Sequence, residues 1–177
     1  MNTIHKGYKT VEHTGNNGQI RTEHEEWILR DPPILLHNFS EQEIREFLEV
    51  GDVEKLSLGD LVMQEGEIGD SACLVAKGLV SIWKNNIHIT NLDRGAFIGE
   101  MFLFNPTKRI ANVIAEEDTV VLRYSRRNTL DFFRKKPERL FKIFIINIVN
   151  LQQQKIATMD EKIIQLQQKL LQSEPGA

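Results

Sequence analysis

Gly99-Glu100-Met101-Phe102-Leu103-Phe104-Asn105-Pro106-Thr107-Lys108-Arg109 is the run that decides the fold. A Gly-Glu pair opens it and an arginine closes it, with one short apolar turn and a Pro-containing loop between. Gly99 permits unusual dihedrals and close backbone approach. A short turn after it presents free backbone N–H groups, here those of Met101 and Phe102, which suit a phosphate. Arg109 offers a planar, permanently charged fork to the same phosphate. Glu100 can accept hydrogen bonds from a sugar hydroxyl. A phosphate and a sugar held side by side describe a nucleotide. Other readings stay open at both charged positions: Arg109 as an exposed loop arginine, and Glu100 as an ion-pair partner of Arg109 or Arg123.

The residues on either side extend the pattern. Upstream are Leu58-Gly59-Asp60 and Glu65-Gly66-Glu67-Ile68-Gly69-Asp70-Ser71, then Lys77-Gly78-Leu79-Val80-Ser81-Ile82-Trp83. Downstream are Arg109-Ile110-Ala111-Asn112-Val113-Ile114-Ala115 and Glu117-Asp118-Thr119. In order and spacing these resemble the cyclic nucleotide-binding domain family, over roughly residues 35 to 150. The likeness is to the sensor domain and dimer helix of the catabolite activator protein, without its winged helix-turn-helix. It implies a mainly β fold with helices: a jelly-roll-like β-roll and a long C-terminal helix. It also implies that Gly99, Glu100, Met101, Phe102, Arg109 and Ile110 form a phosphate-binding cassette.

Two of those residues depart from the family pattern. Phe102 stands where alanine or glycine is usual, and its side chain either joins the core or narrows the pocket. Ile110 stands where cyclic AMP binders often have alanine or serine and cyclic GMP binders threonine. Isoleucine offers no hydroxyl, so the expected ligand is cyclic AMP rather than cyclic GMP. Carried forward along the chain, the resemblance puts an adenine contact on the helix at Gln154 and Lys155. Gln154 has both donor and acceptor, yet a solvated glutamine on a glutamine-rich helix explains it equally well.

Composition sets the outer bounds. The 177 residues support one domain plus an extension, and 41% hydrophobic content suits a globular chain. A net charge of −3 gives no global attraction to nucleic acid. The single cysteine, Cys73, excludes an internal disulfide and falls in an apolar strand pattern, as core. No signal-peptide or membrane-spanning run appears, so the expected location is the cytoplasm. The five histidines lack ligand spacing and no catalytic constellation stands out, so neither a metal, a cofactor nor an enzyme is expected.

Residues 1–34 read as a polar extension, with a flexible or hairpin turn at Gly15-Asn16-Asn17-Gly18. Trp27, Ile28 and Leu29 pack onto the domain before Pro32-Pro33. Residues 35–136 form the β-roll domain, opened by the capping box Ser40-Glu41-Gln42-Glu43 and a helix with Ile44, Phe47 and Leu48 on one face. Strands are predicted at Val53–Leu56, Leu61–Gln64, Ala72–Ala76, Leu79–Lys84, Ile87–Leu92, Ala111–Ala115 and Thr119–Tyr124, with Asn85-Asn86 as a tight hairpin. A helix follows at Arg126–Lys135.

Residues 137–172 predict a long dimerisation helix, followed by a tail at 173–177. Ile145, Gln152, Met159 and Leu166 recur every seven residues, as do Val149, Ile156, Ile163 and Leu170. That seam suits a parallel two-stranded coil, hence a homodimer. The basic run Arg123, Arg126, Arg127, Arg134, Lys135, Lys136, Arg139 and Lys142 reads as ion-pair partners on solvated faces. A winged helix-turn-helix needs roughly 60 further residues, so direct DNA binding is not expected. The implied function is a non-catalytic cyclic nucleotide sensor acting through its helix on a protein effector partner. A ligand-free scaffold of the same fold, or the sensory piece of a longer chain, are the alternatives.

Overall fold

Alternating apolar residues and turn-forming Gly, Asn and Asp build the centre of the chain as short antiparallel strands. The computed structural model describes residues 17–173. Among them lie β1 (Asp52–Leu56), β2 (Leu61–Met63), β3 (Ile68–Gly69), β4 (Ser71–Lys77), β5 (Val80–Lys84), β6 (Ile87–Leu92), β7 (Phe97–Ile98), β8 (Thr107–Lys108), β9 (Asn112–Ala115) and β10 (Thr119–Ser125). The helices are α1 (Asn17–Arg30), α2 (Glu41–Val50), α3 (Arg126–Arg134) and α4 (Glu138–Ser173). Short 3₁₀ turns occupy Ile34–Leu36 and Glu100–Leu103.

Two four-stranded sheets, ordered β1-β10-β4-β7 and β2-β9-β5-β6, close into the β-roll, and β3 pairs with β8. The apolar run Ala72–Ala76 explains why the first sheet is covered on both faces. Cys73 and Val75 belong to the core between the sheets, with Val62, Met63, Val113 and Val121. Ala72, Leu74 and Ala76 belong to a second core beneath the helices. There Phe47 stacks on Tyr124 with ring centroids 4.7 Å apart and meets Phe144 at 5.4 Å.

Local chemistry explains the joints. Ser40 Oγ accepts from the Glu43 N–H at 3.3 Å, and Glu43 Oε2 accepts from the Ser40 N–H at 2.7 Å, so the capping box forms. Asn85 and Asn86 take left-handed φ of 50° and 62° in the β5–β6 hairpin. The core side of α4 carries Leu140, Phe144 and Ile148. Between them, buried Asn147 donates to Leu35 O at 3.0 Å and His37 O at 2.8 Å, fixing the helix against the Ile34–Leu36 turn.

The N-terminal reading needs one correction. Asn17 and Gly18 open α1 rather than forming a turn; Gly15 and Asn16 lie outside the described residues. Ile28 is fully buried in the outer core, and Trp27 and Leu29 pack against it. Tertiary burial of that last turn stabilises a helix that local propensity does not announce. Most of the basic run is tied down. Lys136 meets Glu46 at 2.5 Å, Arg139 meets Glu43 at 2.5 Å, and Arg134 meets Asp131 at 2.7 Å.

Burial pushes the Cys73 thiol up to about 11. An unfolded cysteine ionises near 8.5, so the folded state holds its proton more tightly. The associated stability is complete below that lower value and is lost as pH rises toward about 11. Urea unfolding of wild type and Cys73→Ala across this window is expected to show their difference shrinking by on the order of 2–3 kcal/mol. A difference independent of pH would show that the folded thiol ionises normally.

Candidate functional site

The turn after β7 is made possible by Gly99, whose φ of 80° is left-handed. A side chain there would also collide with Arg109 Nη1, 2.5 Å from where its Cβ would stand. The Glu100–Leu103 turn then closes through the Phe102 N–H, which donates to Gly99 O at 3.1 Å. The N–H that the resemblance assigns to a phosphate is, in this structure, engaged inside the 3₁₀ turn. The Phe102 side chain is 1% exposed and joins the outer core, so it does not narrow a pocket. Arg126 Nε pins the end of the turn by donating to Leu103 O at 3.1 Å. Met101 remains exposed.

Arg109 follows β8, and its backbone is fixed by its N–H donating to Glu67 O at 2.7 Å. Its side chain runs across Gly69, where a Cβ would lie 2.1 Å from Nε. Nη2 donates to Ser71 O at 2.6 Å and Ser71 Oγ at 3.3 Å. Among the described residues no carboxylate stands within ion-pair distance of it. Burial, followed by the neighbouring Arg123 charge, holds its guanidinium below the usual arginine range. Arg123 itself is committed elsewhere, donating to Glu54 through Nε at 2.6 Å and Nη2 at 2.8 Å.

Glu100 is only 6% exposed and pairs with neither arginine. It accepts from Lys155 Nζ at 2.6 Å and from Gln152 Nε2, both on α4. Lys155 Nζ also reaches Phe97 O at 3.3 Å. Residues three apart share a helix face, so Gln152 and Lys155 arrive together. Gln154 is exposed, on a different face, and Gln152 takes the place beside Lys155 that the sequence reading assigned to Gln154. The Ile110 side chain is 77% exposed, at the rim of the cassette. Gln152, Gly69 and Ser71 were not singled out by sequence reasoning. The i, i+3 spacing of Gln152 and Lys155 was available, but Gln152 also fitted the heptad seam.

The arrangement is therefore a buried carboxylate held by the long helix and a half-buried arginine without a direct ion pair among the described residues, joined by a left-handed glycine turn. No group of three His, Cys, Asp or Glu among the described residues is placed to hold a metal. No described helix is long and apolar enough to cross a membrane.

Residues 53–136 match the family model described as "Cyclic nucleotide-binding domain". Human cGMP-dependent protein kinase 2 is 31% identical over 103 residues, which is 55% of this chain and 14% of the kinase. The cAMP-dependent protein kinase regulatory subunit of Hypocrea atroviridis is 33% identical over 95 residues, 52% of this chain and 20% of that protein. The chain thus spans a small part of these curated relatives. A solved cyclic nucleotide-binding domain from Methylobacillus flagellatus superposes with a TM-score of 0.71 at 23% identity, covering 80% of this chain and 83% of that one. Residues 53–136 thus match the cyclic nucleotide-binding domain by sequence, and the β-roll shares the fold of that solved domain.

Proposed function

We propose that this domain is a non-catalytic cyclic AMP sensor that signals through α4. The observation carrying the reading is Arg109: a half-buried cation, positioned by Ser71 and shaped around by two glycines, near Asp70 and Glu67 but with no carboxylate among the described residues within ion-pair distance. A buried charge without a partner is costly, and a phosphate anion supplies one. Glu100, across the Gly99 turn, is the acceptor for a ribose hydroxyl, with Met101 on the same turn. Ile110 offers no hydroxyl to a guanine base, which favours cyclic AMP over cyclic GMP.

Lys155 and Gln152 give the sensor its output. A sugar hydroxyl at Glu100 competes with these two donors, so ligand binding and the seat of α4 are linked. Lys155, released from Glu100, then becomes available near the base. Beyond Leu151 the helix keeps side-chain contacts to the roll through Gln152, Lys155 and Lys162, while exposing Ile156, Met159, Ile163, Leu166 and Leu170. That seam supports a homodimer or an effector partner.

Arg109→Ala is expected to weaken cyclic AMP at least tenfold, since hydrogen bonds to a charged group contribute about 1.5–3 kcal/mol. Calorimetry and thermal shift measure this. Wild type at about 100 times its dissociation constant should gain roughly 2.7 kcal/mol of stability. No heat and no shift at millimolar cyclic AMP would overturn the sensor reading. One observation favours a second reading, a ligand-free scaffold: Glu100 is already satisfied by Lys155 and Gln152. That same null result would support it.

A further inference from the structure

A second site lies apart from the cassette, in an open cleft of roughly 490 Å³ between α1 and the end of β4. Trp27, Arg30, Lys77 and Arg94 line it, together with His24 and one carboxylate, Glu26. Three features make it more than a patch of surface cations. The turn bearing Arg94 is pinned to β4, because Gly95 N donates to Val75 O at 2.9 Å and Val75 N donates to Ala96 O at 2.9 Å. The Arg94 guanidinium sits 4.7 Å from the Trp27 ring centroid, held by a cation–π contact. The Trp27 Nε1–H is buried and has no acceptor. A buried indole donor normally finds one.

The three cations also lack counter-ions. Among the described residues neither Arg30, Lys77 nor Arg94 has a carboxylate within ion-pair distance. Elsewhere this protein pairs its basic residues, as at Lys136–Glu46 and Arg139–Glu43. Three cations against one carboxylate, Glu26, leave the cleft with an excess of donors and positive charge that an anion would balance. We propose that this cleft binds a small polyanion, carrying two or more phosphate or carboxylate groups, through Arg30, Lys77 and Arg94 beside the Trp27 ring. Two arginine forks match either oxyanion geometry. The volume falls in the range of small-molecule sites. Its anion preference does not depend on the cassette, although β7 joins the Arg94 turn to Gly99.

The test uses the full chain carrying Trp83→Phe, so that Trp27 is the sole tryptophan. Tripolyphosphate is titrated in one arm and citrate in the other, with tryptophan emission as the readout and circular dichroism to confirm folding. At least one anion is expected to change the emission saturably, and the tighter arm assigns phosphate or carboxylate chemistry. Arg94→Gln with Lys77→Gln should raise the midpoint about tenfold or more, the size expected for losing charged hydrogen bonds. Each single variant should give part of that shift, which covers failure of the pair to fold. Arg109→Ala should leave the midpoint within about twofold, a difference too small to represent a lost hydrogen bond. No saturable change with either anion would overturn the proposal. So would a midpoint that follows Arg109 rather than Arg94 and Lys77, because the anion would then sit in the cassette. Cyclic AMP binding is measured separately, so failure here leaves the sensor reading standing.

Discussion

Glu54→Ala is expected to cost about 3 kcal/mol or more of folding stability, the scale found when one partner of a buried ion pair is removed. Glu54 is 6% exposed and binds Arg123 with both oxygens, at 2.6 and 2.8 Å. The mutation would strand a mostly buried guanidinium whose other partners are Val62 O at 3.1 Å and Ser71 Oγ at 3.4 Å. At about 2–4 °C per kcal/mol for a chain of this size, the melting temperature should fall by roughly 6–12 °C. Replacing both residues with apolar ones, Glu54→Leu with Arg123→Met, should recover most of the loss, because no charge is then left buried. If the single and double variants melt alike, the pair is not the cause. The pair also bears on the site. Arg123 and Arg109 both contact Ser71, and it is Glu54 that commits one of them and leaves the other open.

Charging the exposed seam should have the other large effect. Ile156 and Ile163 are 57% and 52% exposed, on the part of α4 that touches the roll through Lys155 and Lys162 side chains. If two copies join there, Ile156→Lys with Ile163→Lys places like charges face to face across the coil. The lost burial alone is about 1.5–3 kcal/mol per side chain. Light scattering should report a mass change to that of the 20.4 kDa monomer, with the β-roll signal in circular dichroism unchanged. A wild type that is already monomeric would reject the coil.

The strands were legible because their apolar alternation spans four or more residues between turn signals. β4, β5 and β6 match the expected boundaries to within a residue. The pairs β3, β7 and β8 are two residues long and carry no period of their own. They form because the cassette loop is held by long-range pairing, which single-sequence patterning does not encode. Glu100 and Arg109 were legible from spacing and charge. The bonds Glu100 makes were not: Lys155 was named only for a base contact and Gln152 only for the seam, they lie 52 to 55 positions away in sequence, and the packing of α4 through Asn147 and Phe144 sets that register. Phe102, ambiguous as a letter, is resolved by its burial beside the outer core.

α4 runs on from its seat as a lever, with a further side-chain contact to β6 where Lys162 donates to Ile89 O at 3.3 Å and Thr90 Oγ1 at 3.1 Å. The stretch from Lys155 to Ser173 measures about 27 Å at 1.5 Å per residue. A rotation of about 10° at the lysine therefore displaces the far end by about 5 Å, close to one helical pitch. If a ligand at Glu100 tilts the helix as proposed, a rearrangement of sub-ångström scale there would become a step large enough to change the register in which two rods can mesh. The gain of such a device would be set by helix length rather than by ligand affinity. Trimming the helix by whole turns would attenuate the output while leaving the input unchanged.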